Sequence, residues 1–238
     1  RLRVAGRRAV TGYPGAKAGP GVYQAIINEM PPHQVYIEAF VGSGAILLRK
    51  KPASCSIVID ADADVAARWS TVARSGGAGS LIAMCGDARS IIAGLDVARD
   101  RRALIYADPP YVRATRRNAA PLYRHEFTDR DHIELLKLLR SLPCAVMVSG
   151  YRCALYDEEL ARWRRLDIAA MTRAGPAVES LWLNFTAGDR HEATYLGSTF
   201  RERERIKRKR ARWRRRLASM PRLERRAMLE ELTALELA

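Results

Sequence analysis

The chain has 238 residues, of which 48% are hydrophobic, and a formal net charge of +15. This length allows one substantial core and at most a small second unit, and no apolar run approaches the roughly 20 residues that a membrane span needs. The four cysteines show no CxxC spacing, which argues against a metal site or a disulfide framework and predicts reduced thiols in a cytoplasmic protein.

The fold is predicted to begin near residue 13. Residues 1–12 are expected to form a flexible leader, and Pro14-Gly15 predicts a turn over Tyr13–Lys17. A helix over Val22–Met30 should end at the two prolines that follow it, and Val35–Phe40 is a predicted buried strand.

A glycine-rich turn follows this strand. Gly42-Ser43-Gly44 is expected to lead into a helix near Ala45, because glycine has no Cβ to keep the backbone away from a ligand. The next strand, Cys55–Ile59, ends at Asp60, where an acidic residue is well placed to accept both hydroxyls of a ribose. Helix capping is the alternative role, and both roles are satisfied if Asp62 lies nearer the cap.

Two further strands are predicted before the midpoint of the chain. Leu81–Cys85 is followed by Asp87, and Ala103–Ala107 is a short apolar run that is followed at once by Asp108-Pro109-Pro110-Tyr111. The two prolines forbid further sheet or helix. Because ligands bind at the carboxyl ends of strands in open α/β sheets, Asp108 and Tyr111 are displayed where a ligand is expected.

The Asp-Pro-Pro turn suits recognition of a planar amino group. The Asp108 carboxylate and the Pro109 carbonyl are both acceptors, and Pro109 has no N–H to compete with them. Tyr111 can stack a flat ring against the same place. The alternative is a strand-ending turn capped by an aspartate.

The second half predicts more strands and helices around the same sheet. Thr128 and Asp131 predict a capping box that opens a helix. A buried strand over Ala145–Val148, a helix over Leu155–Arg164, and a hairpin of strands Ile168–Met171 and Ser180–Phe185 turning at Gly175-Pro176 are expected to follow, with Trp182 in a packing role.

Positive charge is concentrated near the C-terminus. Residues 201–217 hold eleven Arg or Lys and two Glu, so they carry +9 of the net +15. This favours a polyanionic partner, whereas a solvated tail with no specific task is the alternative. A basic helix over Thr199–Leu217 and an amphipathic helix over Leu223–Leu237 are predicted to form a nucleic-acid-binding appendage, residues 198–238.

Three segments together resemble the Dam-like class of DNA adenine-N6 methyltransferases, in particular its small phage and prophage members. They are Tyr13-Pro14-Gly15-Ala16-Lys17, Glu38-Ala39-Phe40-Val41-Gly42-Ser43-Gly44 and Asp108-Pro109-Pro110-Tyr111, in that order along the chain. The resemblance implies that residues 13–197 form a Rossmann-like α/β sheet of the S-adenosylmethionine-dependent methyltransferase type with flanking helices.

The resemblance also implies the reaction and the residues that carry it. A methyl group would pass from S-adenosyl-L-methionine to the N6 amine of an adenine flipped out of double-stranded DNA. The implied catalytic residues are Asp108, Pro109, Pro110 and Tyr111. The implied cofactor contacts are Tyr13, Lys17, Glu38, Phe40, Gly42, Ser43, Gly44, Asp60, Asp87 and Asp108.

Two of these assignments have alternatives. Asp87 would read the adenine ring of the cofactor, or it is a helix cap of no further function. Lys17 would contact the methionine carboxylate or the target adenine, or it is a surface lysine.

The DNA contacts must differ from those of the larger Dam enzymes, which carry a recognition segment before Asp-Pro-Pro-Tyr. Only twenty residues separate Asp87 from Asp108 here, and a helix and a strand need most of them. We expect phosphate contacts and relaxed specificity instead. The candidate contacts, from the loop 112–127 and the basic helix, are Arg113, Arg116, Arg117, Lys207, Arg208, Lys209 and Arg210. For the loop, an ordered surface segment is the alternative.

Two other functions fit the same motifs. The first is methylation of adenine in RNA, or of cytosine at N4. The second is an inactive methyltransferase fold that serves as a basic nucleic-acid-binding module, against which stand the intact Asp108, Tyr111 and Asp60. The sequence predicts no particular oligomeric state.

Overall fold

A seven-stranded sheet is the centre of the part of the chain that the computed structural model describes, residues 17–76, 79–116, 123–172 and 175–237. The predicted leader, Tyr13 with the rest of the predicted turn up to residue 16, and Arg117 lie outside these ranges. The strands are β1 Val35–Ala39, β2 Cys55–Asp60, β3 Ser80–Cys85, β4 Ala103–Ala107, β5 Ala145–Gly150, β6 Arg164–Thr172 and β7 Gly175–Leu183.

The spatial order of the strands is β3-β2-β1-β4-β5-β7-β6. Strand β7 runs antiparallel to both of its neighbours, and the other paired strands are parallel. The order 3-2-1-4-5 is that of a doubly wound, Rossmann-like sheet. The predicted α/β fold with flanking helices is therefore confirmed.

The chain changes direction across the sheet between β1 and β4. It runs outward from β1 to β3 on one side and then crosses to β4 and β5 on the other. Ala39 at the end of β1 lies opposite Ala107 at the end of β4, which lies opposite Val148. The residues that follow β1 and β4 therefore emerge side by side at the switch point, where ligands bind in such sheets.

Five helices flank the sheet in the described ranges: α1 Val22–Asn28, α2 Ala63–Arg74, α3 Ala88–Gly94, α4 Asp129–Ser141 and α5 Ala154–Glu159. The predicted capping box of α4 is present, because the Thr128 side chain accepts from the Asp131 N–H and Asp131 accepts from the Thr128 N–H. Leu135, Leu136 and Leu139 of this helix are fully buried in the main core, which also contains Ala103, Ile105 and Ala107 of β4.

The predicted helix near Ala45 is wrong. Residues 41–50 form successive turns, in which the Leu48 N–H donates to the Gly44 carbonyl and the Lys50 N–H donates to the Ile46 carbonyl. The Leu47 N–H instead donates to the buried carboxylate of Glu38, at 3.0 Å. This bond from a side chain replaces the i to i−4 bond that a regular helix needs at that position.

The antiparallel pair β6–β7 is longer than predicted. Its register pairs Met171 with Pro176 and Thr172 with Gly175, so Gly175-Pro176 belongs to β7, whereas the sequence predicted a turn there. Trp182 is fully buried, as predicted, and packs against Tyr156 with ring centroids 5.0 Å apart.

The chain folds as two compact units, Arg1–Ala193 and Thr194–Ala238. The second unit contains α6 Phe200–Ser219 and α7 Arg222–Leu237, at the positions where the sequence predicted two helices. No side chain of α6 is buried. Within the described ranges, none of the helices is both long and apolar enough to cross a membrane.

Candidate active site

A cavity of about 260 Å³ lies at the switch point of the sheet. Its walls come from the carboxyl ends of β1, β2 and β4 and the residues that follow them, together with Lys17, residues 123–125 and Phe127. Eight of the predicted site residues line it: Lys17, Glu38, Phe40, Ser43, Asp60, Asp108, Pro109 and Pro110. Gly42, Gly44, Asp87 and Tyr111 do not line it. The fold thus brings together side chains that are far apart in the sequence.

The Asp60 carboxylate ties the loop after β1 to the turn after β2. One oxygen accepts from the Gly42 N–H at 2.8 Å, and the other accepts from the Asp62 N–H at 3.0 Å. Burial raises the pKa of Asp60 above its ordinary value. Asp62, not Asp60, caps α2, so the two acidic residues have separate structural roles.

The glycines of this loop adopt conformations with positive φ, 45° at Gly42 and 61° at Gly44. A Cβ at Gly44 would lie 2.1 Å from the ring of Trp69. The same ring donates its N–H to the Gly42 carbonyl at 3.1 Å. The neighbour that requires a glycine at position 44 is therefore a tryptophan of α2, a partner that the sequence did not indicate.

Glu38 is a buried carboxyl at the floor of the cavity. Its Oε2 atom accepts from the Tyr36 hydroxyl at 2.8 Å and from the Leu47 N–H at 3.0 Å. Burial raises its pKa from an ordinary value of 4.5 to about 8, although both hydrogen bonds oppose that rise. Glu38 therefore holds the loop after β1 in place through its bond to the Leu47 N–H.

Asp108 accepts two hydrogen bonds on one oxygen. Its Oδ1 atom lies 2.7 Å from the Lys17 ammonium and 2.8 Å from the Ser149 hydroxyl, which in turn lies 2.9 Å from the Tyr106 hydroxyl. The pairing of Ala107 with Val148 explains this contact, because it places Ser149 beside Asp108. Burial raises the pKa of Asp108, and the charge on Lys17 opposes the rise.

Lys17 lies between two carboxylates and a phenol. Its ammonium is 2.7 Å from Asp108, 2.7 Å from Glu179 and 2.7 Å from the Tyr111 hydroxyl, and the residue is only 4% exposed. Burial lowers the pKa of Lys17, but Asp108, Tyr111 and Glu179 outweigh it and raise that pKa well above its ordinary value. Lys17 is thus a charged, buried residue and not a surface lysine.

Tyr111 is fixed at both ends. Its hydroxyl donates to Glu179 at 2.6 Å, and its ring packs against that of Tyr151 with centroids 4.6 Å apart. The carbonyl of Tyr111 accepts from the Arg116 guanidinium, which also pairs with Glu126. Arg116 was predicted to contact DNA, but its side chain is only 5% exposed and its contacts lie inside the protein, whereas Arg113 is exposed.

Asp87 caps α3, which was one of its two expected roles. Its carboxylate accepts from the Arg89 N–H and pairs with the guanidinium of the same residue, which lowers the pKa of Asp87. Arg89 also pairs with Asp131 and Glu134 of α4. Arg89 therefore links α3 to α4, and Asp87 holds Arg89 in place.

Sequence reasoning assigned no role at the site to Glu179, Ser149 or Trp69. Glu179 is 6% exposed and lies in β7, between strand residues that are apolar or small. A carboxylate within a buried strand is rare and needs a partner. The position of Glu179 in an otherwise apolar or small-residue strand was therefore the sequence signal that could have indicated its role.

The remaining candidates lie in the second unit. Lys207, Arg208, Lys209 and Arg210 are consecutive residues of α6 and are all exposed. In the described ranges, no three His, Cys, Asp or Glu side chains are grouped so as to hold a metal ion.

Several solved structures are similar to this chain in fold. TrmN from Thermus thermophilus is 16% identical with a TM-score of 0.46, and the match covers 68% of this chain and 46% of that one. A dimethyladenosine transferase from Plasmodium falciparum is 14% identical with a TM-score of 0.43, covering 68% and 58%. Precorrin 8W decarboxylase from Methanobacterium thermoautotrophicum is 13% identical with a TM-score of 0.41, covering 68% and 86%. No family model matches the chain, and no curated protein matches it in sequence.

Proposed function

We propose that this protein is an S-adenosylmethionine-dependent methyltransferase that modifies the N6 amine of adenine in nucleic acid, with double-stranded DNA as its substrate. One observation carries the proposal: Asp108, Pro109 and Pro110 line the same cavity as Phe40 and Asp60, at the switch point of the sheet.

The residues around the cavity fit the proposed cofactor. S-adenosylmethionine, when bound, supplies a methyl group activated on a sulfonium cation. Asp60 and Asp62 offer carboxylate oxygens at the end of β2, where a ribose is held in related sheets. Phe40 and Phe127, with ring centroids 5.3 Å apart, offer an aromatic wall for a purine.

The carboxyl groups that surround Lys17 also favour a cation in the cavity. Two carboxyl groups, those of Asp108 and Glu179, lie beside one ammonium, that of Lys17. Opposite charges attract more strongly in a protein interior than in bulk water. A cationic cofactor would therefore be favoured beside Asp108.

The chemistry asked of the chain is to activate a weak nucleophile. The lone pair of the adenine amine is delocalised into the ring, so the amine reacts only when its hydrogens are held and its nitrogen is in line with the methyl group. The Asp108 carboxylate and the Pro109 carbonyl would accept hydrogen bonds from the two N–H groups of that amine. Such bonds accelerate transfer to the extent that they strengthen as positive charge develops on nitrogen.

Correct placement supplies a further part of the rate. The N6 atom is inaccessible inside a duplex, so the base would be flipped out before transfer. Tyr111 and Tyr151 form an aromatic pair behind the Asp-Pro-Pro turn that a flipped base could stack against. Exposed cations, Arg113 and the α6 residues 207–210, would hold phosphates.

The direct test is transfer of labelled methyl from S-adenosylmethionine to unmethylated duplex DNA, with the product nucleoside identified. We expect N6-methyladenine from the wild type and a loss of at least about 100-fold in kcat for Asp108→Ala, since groups that stabilise developing charge contribute on that scale. Asp189→Ala is the matched control, because Asp189 is exposed and does not line the cavity.

The other outcomes identify the rival functions. Transfer to RNA only, or a product of N4-methylcytosine, would replace the proposed substrate and keep the reaction class. Cofactor binding without transfer to any nucleic acid would indicate an inactive binding module.

A further inference from the structure

The Asp108 carboxylate has two partners in the proposed function. Its Oδ1 atom is bonded to the Lys17 ammonium at 2.7 Å, and the same carboxylate is the proposed acceptor for the adenine amine. Lys17 also lines the cavity, as Asp108 does. A cation bonded to a carboxylate reduces the negative charge that it offers to another donor, so Lys17 and the target amine draw on the same charge of Asp108.

A second carboxylate is placed to take the lysine. Glu179 lies 2.7 Å from the same ammonium and 2.6 Å from the Tyr111 hydroxyl. It does not line the cavity. Its position follows from the sheet, because Ser180 pairs with Gly150 at the carboxyl end of β5 and Glu179 precedes Ser180.

We propose that Glu179 is a positioning residue for methyl transfer: it holds the Lys17 ammonium when Asp108 turns to the target amine. The inference rests on the proposed function and goes beyond it, since it assigns a role to a carboxylate outside the cavity.

The energetic reason is the cost of a buried charge. An ammonium that is 4% exposed is costly without an anion beside it. With Glu179 and the Tyr111 hydroxyl in place, Lys17 keeps two described partners after it leaves Asp108. Without the Glu179 charge, Asp108 is the one carboxylate among the described contacts of Lys17. The Lys17 ammonium then stays bound to Asp108.

The test compares Glu179→Gln with the double variant Glu179→Gln/Lys17→Met. In the single variant the lysine stays on Asp108, so we expect kcat for DNA to fall about tenfold or more while KM for DNA changes little. Lys17→Met then removes the competing ammonium, and the double variant is expected to have a higher kcat than Glu179→Gln. A merely structural role of Glu179 predicts a double variant that is no better than the single one.

Folding is followed by the thermal unfolding midpoint of each variant. Should Glu179→Gln not fold, the same comparison is made with Glu179→Asp, which keeps the charge at a greater distance. We expect a smaller loss of kcat and again a recovery on adding Lys17→Met. Wild-type kcat in the Glu179 variant that is assayed, or no recovery in its double variant, overturns the inference and leaves the proposed function standing. A wild type without methyl transfer overturns both.

Discussion

Position 44 requires a glycine for two reasons, its backbone conformation and the lack of space for a side chain. Its φ of 61° is costly for residues other than glycine, and a Cβ would lie 2.1 Å from the Trp69 ring. No real Cβ contact is that short, so the ring would have to move. Because Trp69 also bonds to the Gly42 carbonyl, the disturbance would reach the loop that lies beside the cavity.

Gly44→Ala is therefore expected to destabilise the fold. The backbone conformation alone costs about 1–3 kcal/mol, and displacement of Trp69 adds to this. Urea unfolding followed by tryptophan fluorescence measures the change. The control is Gly188→Ala, because a Cβ there meets no atom within 4 Å and its φ lies outside the left-handed region. Equal stability of the two variants would contradict the explanation.

Glu38 should make the stability of the fold depend on pH. Its pKa is raised by burial to about 8, so the folded protein binds the proton of Glu38 more tightly than the unfolded chain does. The stabilisation from this group is full below its ordinary pKa of 4.5 and is lost as the pH rises through 8.

Glu38→Gln removes that dependence, because an amide stays neutral and keeps a carbonyl acceptor for Tyr36 and Leu47. We expect the variant to gain free energy of unfolding relative to the wild type between pH 5 and pH 8, by at most about 1.4 kcal/mol per pH unit. Denaturant unfolding at both pH values measures the gain. Glu158→Gln, at an exposed position of α5, should show no such gain.

At the scale of elements, local patterns predicted most of the sheet. Strand β4 has the predicted bounds, because an apolar run that ends in Asp-Pro-Pro leaves no freedom at its carboxyl end. The capping box of α4 is a similar local signal. The bounds and order of these strands determine where the switch point lies. The switch point in turn places eight predicted residues around one cavity.

Elements that depend on distant contacts were not predictable in the same way. The helix near Ala45 fails because a carboxylate from β1 takes the Leu47 N–H, which no periodicity within residues 45–50 reveals. The role of Glu179 depends on the pairing of β5 with β7 and on Lys17 far earlier in the chain. Similarly, Arg116 looks like a surface residue in sequence but is buried against Tyr111 and Glu126.

At the scale of the whole molecule, the uneven charge is the main feature. Residues 201–217 carry +9 of the net +15, and α6, which contains all of them, has no buried side chain. Some of these cations also contact acidic residues of the same helix: Lys207 lies 3.1 Å from Glu204 and Arg205 lies 3.9 Å from Glu202. Under the proposed function this helix would hold a phosphate backbone, since each neutralised phosphate releases condensed counterions.

This explanation makes a quantitative prediction for DNA binding. Replacing Lys207, Arg208 and Lys209 by Gln should reduce the slope of log K against log salt concentration by up to about 2.7, at about 0.9 for each phosphate contact. The loss should be the same for duplexes of unrelated sequence, because phosphate contacts carry no sequence information. Fluorescence anisotropy titrations at several salt concentrations measure both effects.

A matched control separates this local effect from a change in net charge. Replacing Arg222, Arg225 and Arg226 of α7 by Gln removes the same three charges from exposed positions outside the basic segment. If net charge alone governs binding, both triple variants lose the same slope. If α6 holds the phosphates, only the α6 variant loses slope. That variant would then also bind DNA more weakly in the methyl-transfer reaction, with little change in kcat at saturating DNA.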